Sequence, residues 1–192
     1  MIKGGEILNR NKKIVLIMHC ILNGNSKVEG LANYEGSMKE IINLFIDAGV
    51  GIIQLPCPEM AMYGIKRWEH VKEQFDTLTY REKCRELIIH TVQQLVDYDK
   101  NGYSIVCLVG LDGSPSCGVN KTCSSKWGGS FQCFEKEQLL PRVDYINEAG
   151  IYVEEIEKVF KENNLDVPFI SVDEMDFKSS IKNIETFIKE NI

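Results

Sequence analysis

Ser104-Ile105-Val106-Cys107-Leu108-Val109-Gly110, then Leu111-Asp112-Gly113 and Ser114-Pro115-Ser116-Cys117-Gly118, is the stretch whose reading decides the fold. Its first part is a continuous apolar run, the pattern of a parallel strand buried on both faces. Its second part is a tight turn of small residues leaving the carboxyl end of that strand. Two other cysteines repeat the arrangement. Cys20 follows Ile14-Val15-Leu16-Ile17-Met18 after one residue, and Cys57 follows Gly51-Ile52-Ile53-Gln54-Leu55 after Pro56. In an open parallel sheet, ligands sit outside the carboxyl ends of the strands. Three thiols far apart in sequence are therefore expected to meet at one place.

Outward from this stretch, strands and helices alternate. Residues 1–12 read as a polar arm and 13–18 as the first strand. Turn formers such as Asn23, Gly24, Asn25 and Gly30 fill 19–36. Ser37 with Glu40 fits a capping box opening a helix that stops at Gly49. Residues 51–55 form the second strand, completing a βαβ unit with a right-handed crossover, and 57–78 read as irregular. Thr79 with Glu82 reads as the capping box of a helix ending at Asn101-Gly102, before the third strand at 103–109. The stretch 110–141 shows little periodicity, and a small hairpin is expected at Ser130–Phe134, after Gly128-Gly129. A helix at 147–163, a strand at 167–172 and a helix at 178–190 complete the chain. Pro168 removes a ladder donor and places its strand at an edge. The expected fold is α/β: a three-layer α/β/α sandwich with a mostly parallel, Rossmann-like sheet.

A length of 192 residues suits a single domain over 1–192, with a long cysteine-containing loop at about 110–141. The net charge of −6 and the lack of a basic stripe argue against a nucleic acid polymer as partner and for a small substrate. No apolar run approaches the ~18 residues of a membrane span. Met1-Ile2-Lys3-Gly4-Gly5-Glu6 lacks the apolar core of a signal peptide, so a cytoplasmic location is expected.

Seven cysteines is an odd number without the spacing of a secreted disulfide scaffold. Cys84 lies on an apolar helix face and Cys107 inside a strand, and both read as small core residues. Cys20, Cys57 and Cys117 each sit past a strand end, where their thiolates suit zinc or an iron–sulfur cluster. Their spacings match no zinc finger and do not choose the metal. Three cysteines on a cluster that normally takes four would leave one iron free. Cys123 and Cys133 form a second metal knuckle, supply a fourth ligand, or are loop residues without a role. Glu59 stands two residues after Cys57. As a carboxylate near a metal it can move a proton or orient a water, or simply cap the start of a helix. Ser114 and Ser116 can hydrogen-bond a substrate or a cluster sulfur, or only their own turn, a turn that Asp112 shares. Lys66 and Arg67 are the cations close after Cys57, suited to substrate binding or to solvent. His19 abuts Cys20, and His70 and His90 show no partner spacing. No Gly-rich phosphate loop is present.

At these residues the chain resembles the thiouracil desulfidase family. Its motifs appear in order as Cys20-Ile21-Leu22-Asn23, Val28-Glu29-Gly30, Cys57-Pro58-Glu59, Gly64-Ile65 with Arg67, and Ser114 to Gly118. Asn23 stands where the family has glycine, Glu29 where it has aspartate, and a Gly-Gly pair is reduced to Gly64, which marks a divergent subgroup. The resemblance implies a 4Fe–4S cluster held by Cys20, Cys57 and Cys117. It also implies catalytic help from Glu59 and from Ser114 or Ser116, with Glu29 and Arg67 at the substrate. The expected reaction is non-redox hydrolysis of a small thiolated molecule. The iron left free is the Lewis acid for a thiocarbonyl sulfur, Glu59 handles a proton and prepares a water, and hydrogen sulfide is released. Two rivals remain: a zinc-binding structural or interaction domain using Cys117, Cys123 and Cys133, and a cluster-bearing redox protein without desulfidase activity.

Overall fold

The computed structural model describes residues 9–126, 128–130 and 143–192. Its main sheet holds β1 (Lys13–Met18), β2 (Gly51–Leu55), β3 (Ser104–Leu111) and β6 (Phe169–Val172), all parallel, in the order β2-β1-β3-β6. Two short strands, β4 (Thr122–Ser124) and β5 (Asp144–Ile146), pair antiparallel as a separate ribbon. The helices are α1 (His19–Leu22), α2 (Lys39–Asp47), α3 (Pro58–Tyr63), α4 (Lys72–Phe75), α5 (Leu78–Lys100), α6 (Ile151–Glu162) and α7 (Phe177–Asn191).

The two central strands are the apolar runs, and every residue of β3 after Ser104 is buried. In the edge strands only Leu55 and Val172 are buried. Right-handed crossovers put α2 on one face and α5 and α6 on the other. The packing agrees: α5 lies on α6, and α7 returns to lie on α2. The result is the expected α/β three-layer sandwich, with β6 at an edge. The chain moves outward from β1 to β2 and then crosses back to β3. The carboxyl ends of β1 and β3 thus form the crevice where such sheets place their ligands.

Several local expectations are corrected. Ser37 does not cap α2. Met38 holds the cap position without a side-chain bond. It is buried and its N–H donates to Ile21 O at 2.9 Å, so core burial overrides the hydroxyl. Helix α5 starts at Leu78 rather than after Thr79, because Thr77 Oγ1 accepts the Tyr80 N–H at 3.2 Å. The stretch 57–78 is not irregular, since α3 and α4 lie in it. Helix α6 begins at Ile151 rather than 147, because Gly150 is pinned against the turn that holds Cys117: its N–H donates to Gly118 O at 2.9 Å. Part of 110–141 is ordered as the end of β3 and as β4. Residues 131–134 of the expected hairpin, together with Trp127 and Cys133, lie outside the described residues. Among the described residues, no helix is long and apolar enough to cross a membrane.

Candidate functional site

Each cysteine owes its place to a strand end. Cys20 is in α1, directly after β1. Cys57 is the N-cap of α3, and its Sγ accepts the Met60 N–H at 3.5 Å. Pro58 takes the first helical position, where its missing N–H costs nothing, and Glu59 falls in the first turn.

Cys117 is held by a turn that bonds to itself. Ser114 Oγ accepts the N–H groups of Ser116 (3.3 Å) and Cys117 (3.0 Å), and Leu111 N–H donates to Cys117 O at 3.0 Å. The start of α6 clamps the turn from outside: Ile151 N–H donates to Pro115 O and Tyr152 N–H to Ser116 O, both at 3.0 Å. The turn is too tight for a side chain at Gly118, where a Cβ would stand 2.2 Å from Lys121 O. Asp112 Oδ1 accepts the Val119 and Asn120 N–H groups at 2.9 Å each, which fixes the loop beyond.

These ends open into a cavity of about 560 Å³ lined by Cys20, Cys57, Cys117, Glu59 and Ser114, among others. Glu59 is fixed at both oxygens. Ser116 Oγ–H donates to Oε1 at 2.5 Å, and Arg67 Nε donates to Oε2 at 3.1 Å. Ser116 is fully buried and absent from the cavity wall, so of the two serines it is Ser114 that faces the cavity. Arg67 also lines it, but its side chain is only 3% exposed and its nitrogens are committed to the protein. Nη2 donates to Ser26 O at 2.7 Å and Nη1 to Gly64 O at 3.2 Å. Arg67 therefore ties the turn after Cys20 to the helix after Cys57.

Glu29 is exposed, and its neighbours Val28 and Gly30 line the cavity instead. Lys66 is exposed, and His19 pairs with Gln54 at 3.0 Å. Cys84 and Cys107 are buried in the core, as expected. Cys123 lines the cavity as a further thiol and donates to His70 O at 3.5 Å.

His70 is a cavity residue that the sequence reading missed. It lines the cavity, and its ring packs against both Tyr63 and Phe75, with centroids 4.8 and 4.9 Å away. No spacing pattern announced it, since it reaches the wall through the packing of α3 and α4. Lys27, paired with Glu174, and Lys121, paired with Asp173, add cations to the wall, and they too carried no sequence signal.

Burial and mutual proximity act together on the three thiols. Burial, then the charge of Cys57, pushes the Cys20 thiol up to about 12. Burial, then Glu59, raises Cys57. Burial, then Cys20 and Cys57, raises Cys117 well above the ordinary thiol range. The three sulfurs thus feel one another, and without a cation they are neutral thiols. A metal among them reverses the balance, because a coordinating thiol is deprotonated outright. All described cysteines are unpaired. Among the described residues, no three His, Cys, Asp or Glu side chains converge on a single-ion position as they stand.

An uncharacterized protein of Methanocaldococcus jannaschii is 31% identical over 182 residues, which is 94% of this chain and 99% of that protein. No solved structure matches. A family match covers residues 12–190, both central strands and all three cysteine turns included. The chain belongs to that family, described as "Putative 2-thiouracil desulfurase".

Proposed function

We propose that the protein removes sulfur from a small thiocarbonyl compound of the thiouracil type by non-redox hydrolysis, using a 4Fe–4S cluster held by Cys20, Cys57 and Cys117. The observation that carries this reading is the shared cavity: three thiols from three strand ends, with Glu59 and Ser114 on the same wall. The donor set fits the group. Thiolates are the ligands of iron–sulfur clusters, each iron taking its own, and these three sulfurs border one cavity without closing on a point. When bound, the cluster supplies a Lewis-acidic iron for the thiocarbonyl sulfur.

The rest is done by the chain. The balance is one thiocarbonyl and one water giving one carbonyl and one hydrogen sulfide, with no oxidant or reductant. Both protons of water must leave oxygen and reach sulfur. Glu59 takes the first as general base, a role worth about 10²–10⁴ in rate. Ser116 and Arg67 hold its two oxygens and act as positioning residues. Ser114 offers its hydroxyl to the substrate, since its own oxygen already organises the Cys117 turn. Unpaired thiols suit a reducing compartment, and we place the protein in the cytoplasm.

The test is sulfide release from 2-thiouracil by protein reconstituted without oxygen, wild type against Cys117→Ala. Sulfide and uracil in equal amounts, lost in the variant, support the proposal. Release that survives Cys117→Ala, or no release by a cluster-loaded wild type, overturns it.

A further inference from the structure

The ribbon of β4 and β5, separate from the main sheet, turns one face to the cavity. Its register pairs Cys123 with Tyr145, flanked by Thr122 with Ile146 and by Ser124 with Asp144. Side chains alternate across a ribbon, and directly opposed residues share a face. Cys123 and Tyr145 therefore stand on one face, with Val143 two residues before Tyr145, and all three line the cavity. Thr122 belongs to the other face. It is buried, and its Oγ1–H donates to Ser114 O at 2.9 Å. Gly113 N–H donates to Lys121 O at 2.8 Å, and Ser125 N–H donates to Glu73 Oε2 at 3.1 Å. The ribbon is thus stitched to the Ser114 turn at one end and to α4 at the other.

Tyr145 is the large group on the cavity face, and it is 60% exposed. A scattered exposed ring needs no explanation, but this one is held in place. A Cβ at Gly113 would stand 3.2 Å from Tyr145 Cε1, and Gly113 has φ +87°. Glycine at this position, directly before Ser114, lets the ring lie against the turn. Lys121, paired with Asp173 at 2.6 Å, sets its Nζ over the ring, 5.5 Å from the centroid, within cation–π range. The ring is fixed at an edge and by a cation, yet stays open to the cavity beside the hydroxyl of Ser114. Leu31 and Met175, both exposed, bring further apolar surface to the same cavity from two other segments. Aromatic side chains of this kind take planar bases, because every base has a π face to stack.

We propose that Tyr145 is the platform on which the substrate ring stacks, so that the site selects planar, unsaturated thiocarbonyl heterocycles over saturated ones. This rests on the reading of the cavity as the desulfuration site. Ser114 acts at the thiocarbonyl end, and Tyr145 holds the ring behind it.

The test uses wild type, Tyr145→Ala and Tyr145→Phe, reconstituted without oxygen, with iron content and urea midpoint read first. 2-Thiouracil is compared with its 5,6-dihydro form, which keeps the thiocarbonyl and both N–H groups but loses the flat ring. Sulfide release gives kcat and KM, and the product uracil gives an inhibition constant. Tyr145→Ala is expected to weaken 2-thiouracil and uracil about 5- to 150-fold, the range for a base that loses its aromatic partner. The kcat is expected to stay near the wild-type value, because stacking is the same in the ground state and the transition state. Tyr145→Phe keeps the ring and is expected to match wild type. The dihydro compound is expected to bind wild type more weakly than 2-thiouracil does, and to lose little in Tyr145→Ala. Unchanged KM values in Tyr145→Ala overturn the proposal, and so does an equal loss for both compounds. Equal KM values for the two compounds in wild type also overturn it, whether or not the alanine variant folds. Loaded wild-type protein that releases no sulfide from 2-thiouracil overturns the parent reading, and this one with it, before any variant is compared.

Discussion

Arg67→Lys keeps the charge beside Glu59 and removes the geometry. The guanidinium donates to three oxygens on two segments: Glu59 Oε2 at 3.1 Å and Gly64 O at 3.2 Å in and at the end of α3, and Ser26 O at 2.7 Å in the turn after Cys20. One ammonium cannot serve all three, because lysine is a point donor and arginine a fork. If the lysine keeps Glu59, two backbone carbonyls lose their partner, each worth about 1–1.5 kcal/mol net. The side chain is 3% exposed, so the discount for surface pairs does not apply. The expected loss is about 2–3 kcal/mol, or roughly 4–12 °C in Tm for a chain of this size. The assay is urea and thermal unfolding of the metal-free protein, which isolates the stitch from the cofactor. Sulfide release by the loaded protein should fall through kcat more than through KM, since a lysine no longer anchored at Ser26 and Gly64 holds Glu59 less rigidly than the guanidinium fork does. A stability change under about 0.5 kcal/mol, the range of an ordinary surface substitution, would refute the claim that Arg67 ties the Cys20 turn to the Cys57 helix.

Other outcomes follow from single contacts. Glu59→Gln should lower sulfide release about 10²–10⁴-fold with iron content unchanged; undiminished release removes Glu59 from the chemistry. Thr77→Ala should cost about 1 kcal/mol as a lost N-cap, whereas Thr79→Ala should cost under about 0.5 kcal/mol; urea midpoints of the two variants decide which threonine caps α5. Glu155 is buried beside Arg81 (2.8 Å) and Lys158 (2.7 Å). Burial alone would raise its carboxyl, but the hydrogen bonds from Lys158 and Arg81 outweigh that and hold it low. A carboxyl lowered on folding adds stability above its unfolded value of about 4.3 and loses it as pH falls through the folded value. Glu155→Gln should therefore flatten the stability curve below about pH 4.3, and an unchanged acid limb would contradict this.

The parallel sheet was legible because β1 and β3 are buried on both faces and so must be apolar throughout. The three cysteines were legible because a strand end in such a sheet is also a ligand site. Helix starts were less so. At α2 the burial of Met38 outweighed a hydroxyl two residues from the first helical turn, and at α5 a threonine two residues earlier had the better geometry. Helix α3 was written in Cys57-Pro58-Glu59, with Pro at the first helical position and an acid in the first turn, but its shortness hid the apolar period. The two serines could not be told apart by spacing. Only the folded turn shows that Ser114 faces the cavity while Ser116 turns inward to Glu59. Arg67 looked like a surface or substrate cation because its one distant acceptor is a backbone carbonyl, Ser26 O, which sequence does not mark.

The central claim is that Cys20, Cys57 and Cys117 form one metal centre. The direct measurement is iron content and visible absorption after reconstitution without oxygen, for wild type and for Cys20→Ala, Cys57→Ala, Cys117→Ala and Cys123→Ala. About four irons per chain in wild type, lost in each of the first three variants and kept in Cys123→Ala, is the predicted result. Iron retained in any of the first three, or zinc bound in place of iron and unaffected by their loss, would contradict it.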